Sequence, residues 1–319
     1  MKKCFKILLV LLLASIIGLF FLYRYLECNP IFLGGGPSGP RPERCDIKEK
    51  EQQRKTQMAQ LEQLAALEFT CKKEVQPPLS EETQQLYNYA LYHDLHNMWT
   101  GNKGDEVWNG LARYYRIAAA NGDYKANVRL QYLLNTGRIS TDMPQTEVHN
   151  LNEELAKQLP ATAYYNLYGY LDEDYGVRTE EGGKYAYLRK AADLGSREAQ
   201  YTVAEMLADI EDSEETQDAF KYRLELVKQL RTCASEQGVG NASSNLGANL
   251  ELAKKYSEAV KSYHQGVKNG DTISALALSL GFNRETTRDS FNFLDVHPDD
   301  ERAKRYSVIR SYLSRYDYL

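Results

Sequence analysis

A pair of alanines followed by a glycine and then by another alanine recurs along this sequence and restricts what it can fold into. The motif is clearest in residues 187–207, YLRKAADLGSREAQYTVAEML. Looser copies cover residues 114–134, 159–171, 233–252 and 263–282. In the copy at 159–171, Pro160 stands where the others have glycine. Copies that follow one another at roughly 30–45 residues are typical of stacked helix pairs.

Each repeat is interpreted as two helices joined by a tight turn. Alanine side chains let the two helices approach closely, and glycine adopts the left-handed backbone that ends a helix. One helix pair cannot cover its own apolar face, so neighbouring pairs must stack. No segment alternates polar and apolar residues for long, which argues against β-strands. The repeats therefore predict an all-α protein, a right-handed α-solenoid of stacked helix pairs. The predicted structural repeat glycines are Gly122, Gly195, Gly238 and Gly270.

A basic and then apolar stretch opens the chain. Lys2, Lys3 and Lys6 precede an unbroken run of apolar or small residues at 7–23, close to the roughly 17–25 residues that a transmembrane helix needs. A cleaved signal peptide is the alternative, but residues 24–27, RYLE, lack the small side chains of a cleavage site. We therefore expect an N-terminal transmembrane helix that is retained. The lysines favour a cytoplasmic amino end, which predicts a single-pass inner-membrane protein with its C-terminal domain in the periplasm of a Gram-negative cell.

Composition along the chain predicts five segments. Residues 29–42, NPIFLGGGPSGPRP, have the glycine and proline content of a linker. After Pro298, tyrosines and leucines return at helical spacing and predict a helix that covers the last repeat, as solenoids require. The segments are a cytoplasmic tip with the transmembrane anchor at 1–28, a linker at 29–43, an N-terminal helical region at 44–107, the repeat solenoid at 108–282 and C-terminal capping helices at 283–319.

Four cysteines lie beyond the predicted membrane segment and are candidates for disulfide bonds in an oxidising compartment. Cys45 and Cys71 would be about 39 Å apart if the residues between them formed one straight helix, too far to bond each other. Four cysteines allow three pairings, and one bridge with two free thiols also remains open. The candidates are Cys28, Cys45, Cys71 and Cys233.

The sequence carries no pattern typical of an enzyme. His93 and His96 are three residues apart, as two metal ligands on one helix face can be, but no third ligand accompanies them. Serine-hydrolase, P-loop and zinc-protease motifs are absent from the sequence, and so are paired CxxC cysteines. The net charge of −5, with acids and bases interspersed, argues against a nucleic-acid partner. We expect neither catalysis nor a cofactor or metal.

Residues 175–207 resemble a Sel-one-like repeat, which belongs to the tetratricopeptide-related solenoids. The resemblance rests on the GV loop at 176–177, the AYLRKAADLG helix end and the EAQY start of the next helix. With its anchor and tyrosine-rich C-terminus, the chain resembles membrane-anchored immunity proteins that neutralise type VI secretion effectors, in particular phospholipases. The resemblance implies a secreted lipase effector as partner, bound stoichiometrically and occluded.

Two other functions remain open. One is a membrane-anchored adaptor or assembly factor in the cell envelope. The other is a hydrolase of the cysteine-rich Sel-type class, although only Cys233 lies inside a repeat. Acidic loops such as residues 208–218 favour a partner with a basic patch.

Candidate partner contacts follow from solenoid geometry, because the helix after each turn is expected to line the concave face. Charge reversal at Glu205 and Asp209 is expected to weaken partner binding without lowering the melting temperature. The candidates are Arg129, Tyr132, Tyr165, Tyr168, Thr202, Glu205 and Asp209.

Overall fold

A computed structural model describes residues 68–100, 104–180, 182–210 and 215–315. Within these ranges every regular element is an α-helix, which confirms the predicted all-α class. The helices are α1 (Glu81–Thr100), α2 (Gly104–Ala120), α3 (Tyr124–Asn135), α4 (Pro144–Ala156), α5 (Pro160–Asp172), α6 (Lys184–Leu194), α7 (Arg197–Ala208), α8 (Gln217–Glu236), α9 (Gly240–Leu252), α10 (Tyr256–Lys268), α11 (Thr272–Gly281) and α12 (Asp300–Arg315).

Successive helices pack against one another along the whole of this order. Five pairs form the array, α2 with α3, α4 with α5, α6 with α7, α8 with α9 and α10 with α11. Helix α1 precedes the first pair and packs on α2, while α12 follows the last pair and packs on α11. The copies found in the sequence correspond to these pairs.

The turns inside the pairs show why glycine recurs. All four predicted repeat glycines have positive φ, and Gly195 reaches +111°. In three of the turns the residue after glycine caps the next helix, because its side chain accepts a hydrogen bond from a backbone N–H three residues later. These caps are Asp123, Ser196 and Asp271. Glycine followed by an acceptor thus ends one helix and begins the next.

Small and branched apolar side chains fill the core between the pairs. Ala191 and Ala199 are fully buried where α6 meets α7, and so are Leu188 and Val203. Full burial of a leucine or valine side chain contributes about 1.5–3 kcal/mol. Alanine contributes less, but it lets neighbouring helices approach closely.

The chain before α1 has an extended course. Residues 68–80, here called the N-terminal arm, form no helix. Ser80 ends the arm and caps α1, because its hydroxyl accepts a hydrogen bond from the Thr83 N–H at 3.2 Å. The predicted anchor at 7–23, the linker and the cysteines Cys28 and Cys45 lie outside the described residues. Of the helices inside the described ranges, none combines the length and apolarity that crossing a bilayer requires.

The C-terminal end holds one helix within the described residues. Residues 283–299 run without a helix, and the side chain of Asp299 accepts a hydrogen bond from the Arg302 N–H at 2.9 Å as α12 begins. Leu294 is buried against α11, next to Gly281. Ala303 and Tyr306 join the last apolar cluster. Helix α12 therefore covers the end of the array through its first two turns.

Candidate partner-binding groove

A groove of about 800 Å³ runs between the N-terminal arm and the helices α3 and α5. The start of α7 also lines it. Tyrosines and cations are prominent in the lining, beside the carboxylates of Glu74 and Glu198. The tyrosines are Tyr87, Tyr124, Tyr132 and Tyr165, and the cations are Lys73, Lys125, Arg129 and Arg197. A concave surface of this size can receive several side chains of a partner.

Backbone and side-chain hydrogen bonds hold the arm along one wall of the groove. The carbonyl of Lys72 accepts hydrogen bonds from the Gln200 amide at 3.0 Å and the Gln237 amide at 3.4 Å. Further along, Gln76 accepts the Tyr124 hydroxyl at 2.8 Å. At Gly195 the arm passes so close that a Cβ would lie 2.6 Å from the nitrogen of Glu74. This glycine therefore serves both the helix turn and the approach of the arm.

Glu74 caps helix α5 from outside the repeat. Leu159 occupies the N-cap position of α5 and offers no side-chain acceptor. The Glu74 carboxylate accepts hydrogen bonds from the N–H of Ala161 at 2.6 Å and the N–H of Thr162 at 3.1 Å. It also accepts the Thr162 hydroxyl at 2.5 Å. A carboxylate is favoured here because the helix dipole places partial positive charge at this end.

A disulfide bond between Cys71 and Cys233 fastens the arm to α8. The two Cα atoms are 5.6 Å apart, although 162 positions separate the residues in sequence. Of the pairings left open by the sequence, the structure therefore contains one that joins the arm to the array. The bond fixes the arm at one end of the groove.

Arg129 belongs to a buried network behind the groove. Its guanidinium donates to both carboxylate oxygens of the fully buried Asp94, at 2.7 and 2.9 Å. The Tyr115 hydroxyl and the Trp108 indole N–H donate to the same carboxylate. Burial alone would raise the pKa of Asp94, but these hydrogen bonds and the Arg129 charge outweigh it and lower the pKa. The Cζ atom of Arg129 also lies over the Tyr132 ring, 4.8 Å from its centroid, so Arg129 positions this tyrosine in the wall of the groove.

The tyrosines predicted as contacts differ in exposure. Tyr132 is 41% exposed and faces the groove. Tyr165 lines it too, with its hydroxyl 3.2 Å from the Thr202 hydroxyl. Tyr168 packs between Tyr165 and Tyr185, and burial raises the pKa of its hydroxyl to about 12. Tyr132 is thus the tyrosine of this set that is most accessible to a partner.

Glu205 and Asp209 lie on α7 and just after it, away from the residues that line the groove. Glu205 accepts a hydrogen bond from Arg231 of α8 at 2.8 Å and another from Asn245 of α9 at 2.8 Å. Reversing its charge would place two cations together and break this junction, so we now expect a lower melting temperature for that variant. Asp209 is exposed at the end of α7, where the original expectation stands.

The paired histidines are engaged by aromatic rings. The His93 ring meets Tyr89 edge to face at 4.7 Å, and His96 stacks on Tyr92 at 6.2 Å. Among the residues that the structure describes, no group of three or more His, Cys, Asp or Glu side chains is placed to hold a metal ion.

Three features of the groove were absent from the sequence interpretation. Those features are the arm, the Glu74 cap and the buried Asp94 carboxylate. Each depends on residues far apart in the chain. The one local signal was the sequence Leu159-Pro160 at the start of α5. Leucine has no side-chain acceptor, so the first N–H groups of the helix need an acceptor from another part of the chain.

Solved structures of immunity proteins have a similar fold. Immunity protein Pa5087 from Pseudomonas aeruginosa is 24% identical, with a TM-score of 0.57 over 79% of this chain and 90% of that chain. Immunity protein PA5088 from the same organism is 21% identical, with a TM-score of 0.58 over 79% of this chain and 89% of that chain. These values show that the chain shares its fold with these immunity proteins, as the resemblance of its sequence implied.

Sequence comparisons add one match at the C-terminal end. A family model described as "Domain of unknown function (DUF6396)" matches residues 274–319, which include α12 and most of α11. A search of curated protein sequences finds no significant match.

Proposed function

We propose that this chain is an immunity protein that binds a toxic effector protein and neutralises it by stoichiometric occlusion. The observation that carries the proposal is the groove beside α3 and α5, which lies on a fold shared with solved immunity proteins. Occlusion needs a rigid, shaped surface and no chemistry of its own. We accordingly propose that the chain is not an enzyme.

The finer proposal is that the effector belongs to a type VI secretion system and is a phospholipase. The chain would be anchored in the inner membrane through residues 7–23 and would meet the effector in the periplasm. A disulfide that joins the arm to α8 is consistent with an oxidising compartment. Anchoring would raise the local concentration of the inhibitor at the membrane that a lipase attacks.

Exposed residues of α3 are the proposed contacts inside the groove. Tyr132 offers a half-exposed ring, and Lys125 offers an exposed cation in the first turn of the helix. Tyrosine is among the residues that most often dominate interface energies. Truncating Tyr132 and reversing the charge of Lys125 should weaken effector binding, while the core of the array is left intact.

A competition experiment between sibling strains tests the proposal. A strain that lacks the gene is grown with its parent, and each variant is supplied in trans. We expect the parent to kill the deletion strain, and we expect the wild-type gene to rescue it. The double variant Tyr132→Ala with Lys125→Glu should fail to rescue. A matched control, Tyr222→Ala with Lys221→Glu on the exposed side of α8, should rescue fully.

The outcomes of this experiment distinguish a wrong function from a wrong contact surface. A deletion strain that survives beside its parent would remove the immunity function and favour the envelope adaptor. Rescue by both double variants would keep the immunity function but remove the groove as the contact surface. Comparing the melting temperatures of the two double variants shows whether a failure to rescue comes from lost stability.

A further inference from the structure

Helix α12 carries a concentration of positive charge that contrasts with the rest of the chain. Residues 302–315 contain five cations and no aspartate or glutamate. The whole chain carries −5 and this segment +5, so the remainder carries −10. The cations are Arg302, Lys304, Arg305, Arg310 and Arg315. A segment of one charge in a chain of the opposite charge indicates an electrostatic partner.

The exposed face of α12 combines these cations with apolar side chains. Lys304, Val308 and Tyr312 follow one another at intervals of four, so they share one side of the helix. Arg305 and Ile309 form the adjacent row. Three apolar side chains of these rows are exposed: Val308 by 48%, Ile309 by 37% and Tyr312 by 60%. The opposite side contains Ala303, the buried residue through which α12 packs on the array.

Two cations of this face are available for an external partner. Lys304 and Arg305 form no ion pair with any residue that the structure describes, and both are exposed. Arg302 is different, because it lies near Asp299 and over the ring of Phe282. The first turns of α12 therefore attach the helix, while Lys304, Arg305, Val308 and Ile309 are exposed.

We propose that α12 is a docking helix for an anionic phospholipid surface. Long basic side chains can extend to the headgroups while neighbouring apolar side chains enter the boundary of the acyl chains. Tyrosine suits the same interface because it joins an apolar ring to a polar tip. An acidic protein surface is the alternative. Interleaved cations and branched apolar side chains on one face favour the lipid, since a purely electrostatic contact gives no role to Val308 and Ile309.

The docking helix is independent of the proposed effector contact. The residues that line the groove come from the N-terminal arm, α1, α3, α5, the start of α7 and Gln237 after α8, whereas the docking face lies on α12, which follows the last pair. Lipid binding by α12 can therefore hold or fail whether or not the groove binds a toxin.

Hydrogen–deuterium exchange of the full chain in nanodiscs tests the proposal. Nanodiscs of phosphatidylcholine alone are compared with nanodiscs that also contain phosphatidylglycerol, so the apolar segment at 7–23 is present in both. We expect amides of α12 to exchange about tenfold more slowly in the anionic nanodiscs, because each cation near such a surface contributes to binding. The difference should vanish at about 1 M salt, where charges are screened within about 3 Å.

Two variants make the test specific. The double variant Lys304→Glu with Arg305→Glu should lose the protection, and a control with two exposed lysines of α8 reversed, Lys221→Glu with Lys228→Glu, should keep it. Equal exchange in the two kinds of nanodisc would overturn the proposal. The same protection from soluble polyglutamate, added to nanodiscs of phosphatidylcholine alone, would overturn it in favour of an acidic protein partner.

Discussion

Replacing Glu74 by alanine tests whether the arm stabilises the repeat that lacks its own cap. The substitution leaves the N–H groups of Ala161 and Thr162 without their acceptor, because Leu159 has no side-chain oxygen. Loss of an ordinary N-cap costs about 1 kcal/mol, and a hydrogen bond to a charged group contributes about 1.5–3 kcal/mol. The site is partly buried, so water replaces part of what is lost. We expect a local destabilisation of about 2–3 kcal/mol.

The assay is hydrogen–deuterium exchange of the first amides of α5 in the full chain. A loss of about 2–3 kcal/mol in opening free energy corresponds to roughly 30- to 150-fold faster exchange. Glu74→Gln keeps one carbonyl acceptor but loses the charge that the helix dipole favours, so we expect a smaller loss of about 1 kcal/mol. Glu153→Ala is the control, since that carboxylate is exposed in the last turn of α4 and its removal should change stability by less than about 0.5 kcal/mol.

Three results would contradict this reasoning about Glu74. Exchange in the alanine variant within a factor of about two of the wild type would mean that water satisfies the helix end as well as the carboxylate does. Equal acceleration in the alanine and glutamine variants would mean that the neutral acceptor kept by glutamine contributes nothing and that the charge accounts for the whole effect. Faster exchange spread evenly over α5 and α9 would indicate general loosening rather than a lost cap.

Three further changes have calculable consequences. Replacing Cys71 and Cys233 by alanine opens a loop of 162 positions, and the chain-entropy relation gives up to about 5 kcal/mol of lost stability, measured as a fall in the midpoint of denaturant unfolding. Asp94→Asn leaves Arg129 without its counter-charge in a mostly buried site and should cost about 3 kcal/mol in the same assay. The pKa of His264 is lowered by burial and by nearby cations. Its folded pKa lies below the unfolded value of about 6.5, so its contribution to stability is complete above that pH and is lost as the pH falls. Melting temperatures at pH 5 and 7 should therefore differ less in His264→Gln than in the wild type.

The repeat array could be predicted because its signals are local. Gly195 and Ser196 end one helix and cap the next within a few residues, and the alanines beside them show which faces meet. The same holds at Gly122 with Asp123. Wherever a turn, a cap and a packing face lie within one short window, the sequence contains what determines the structure.

The groove could be predicted only in part, because its polar contacts join distant residues. Arg129 was expected to face a partner, yet Asp94, 35 positions earlier, accepts two hydrogen bonds from its guanidinium. Glu205 was expected to be an accessible charge, yet Arg231, 26 positions later, pairs with it. A charged residue on a helix face has the same pattern whether it faces solvent or a neighbouring helix, so periodicity cannot distinguish the two.

The arm gives the array a property that stacked repeats lack by themselves. In a solenoid each pair contacts its neighbours, so stability is a sum of local terms. The arm instead binds Tyr124 of α3, the start of α5, Gln200 of α7 and, through the disulfide, Cys233 of α8. It therefore also couples pairs that are not neighbours in the array. The copy with Pro160 in place of glycine is the one whose cap comes from the arm, so a repeat that has lost its local signal is held by a contact 87 positions away.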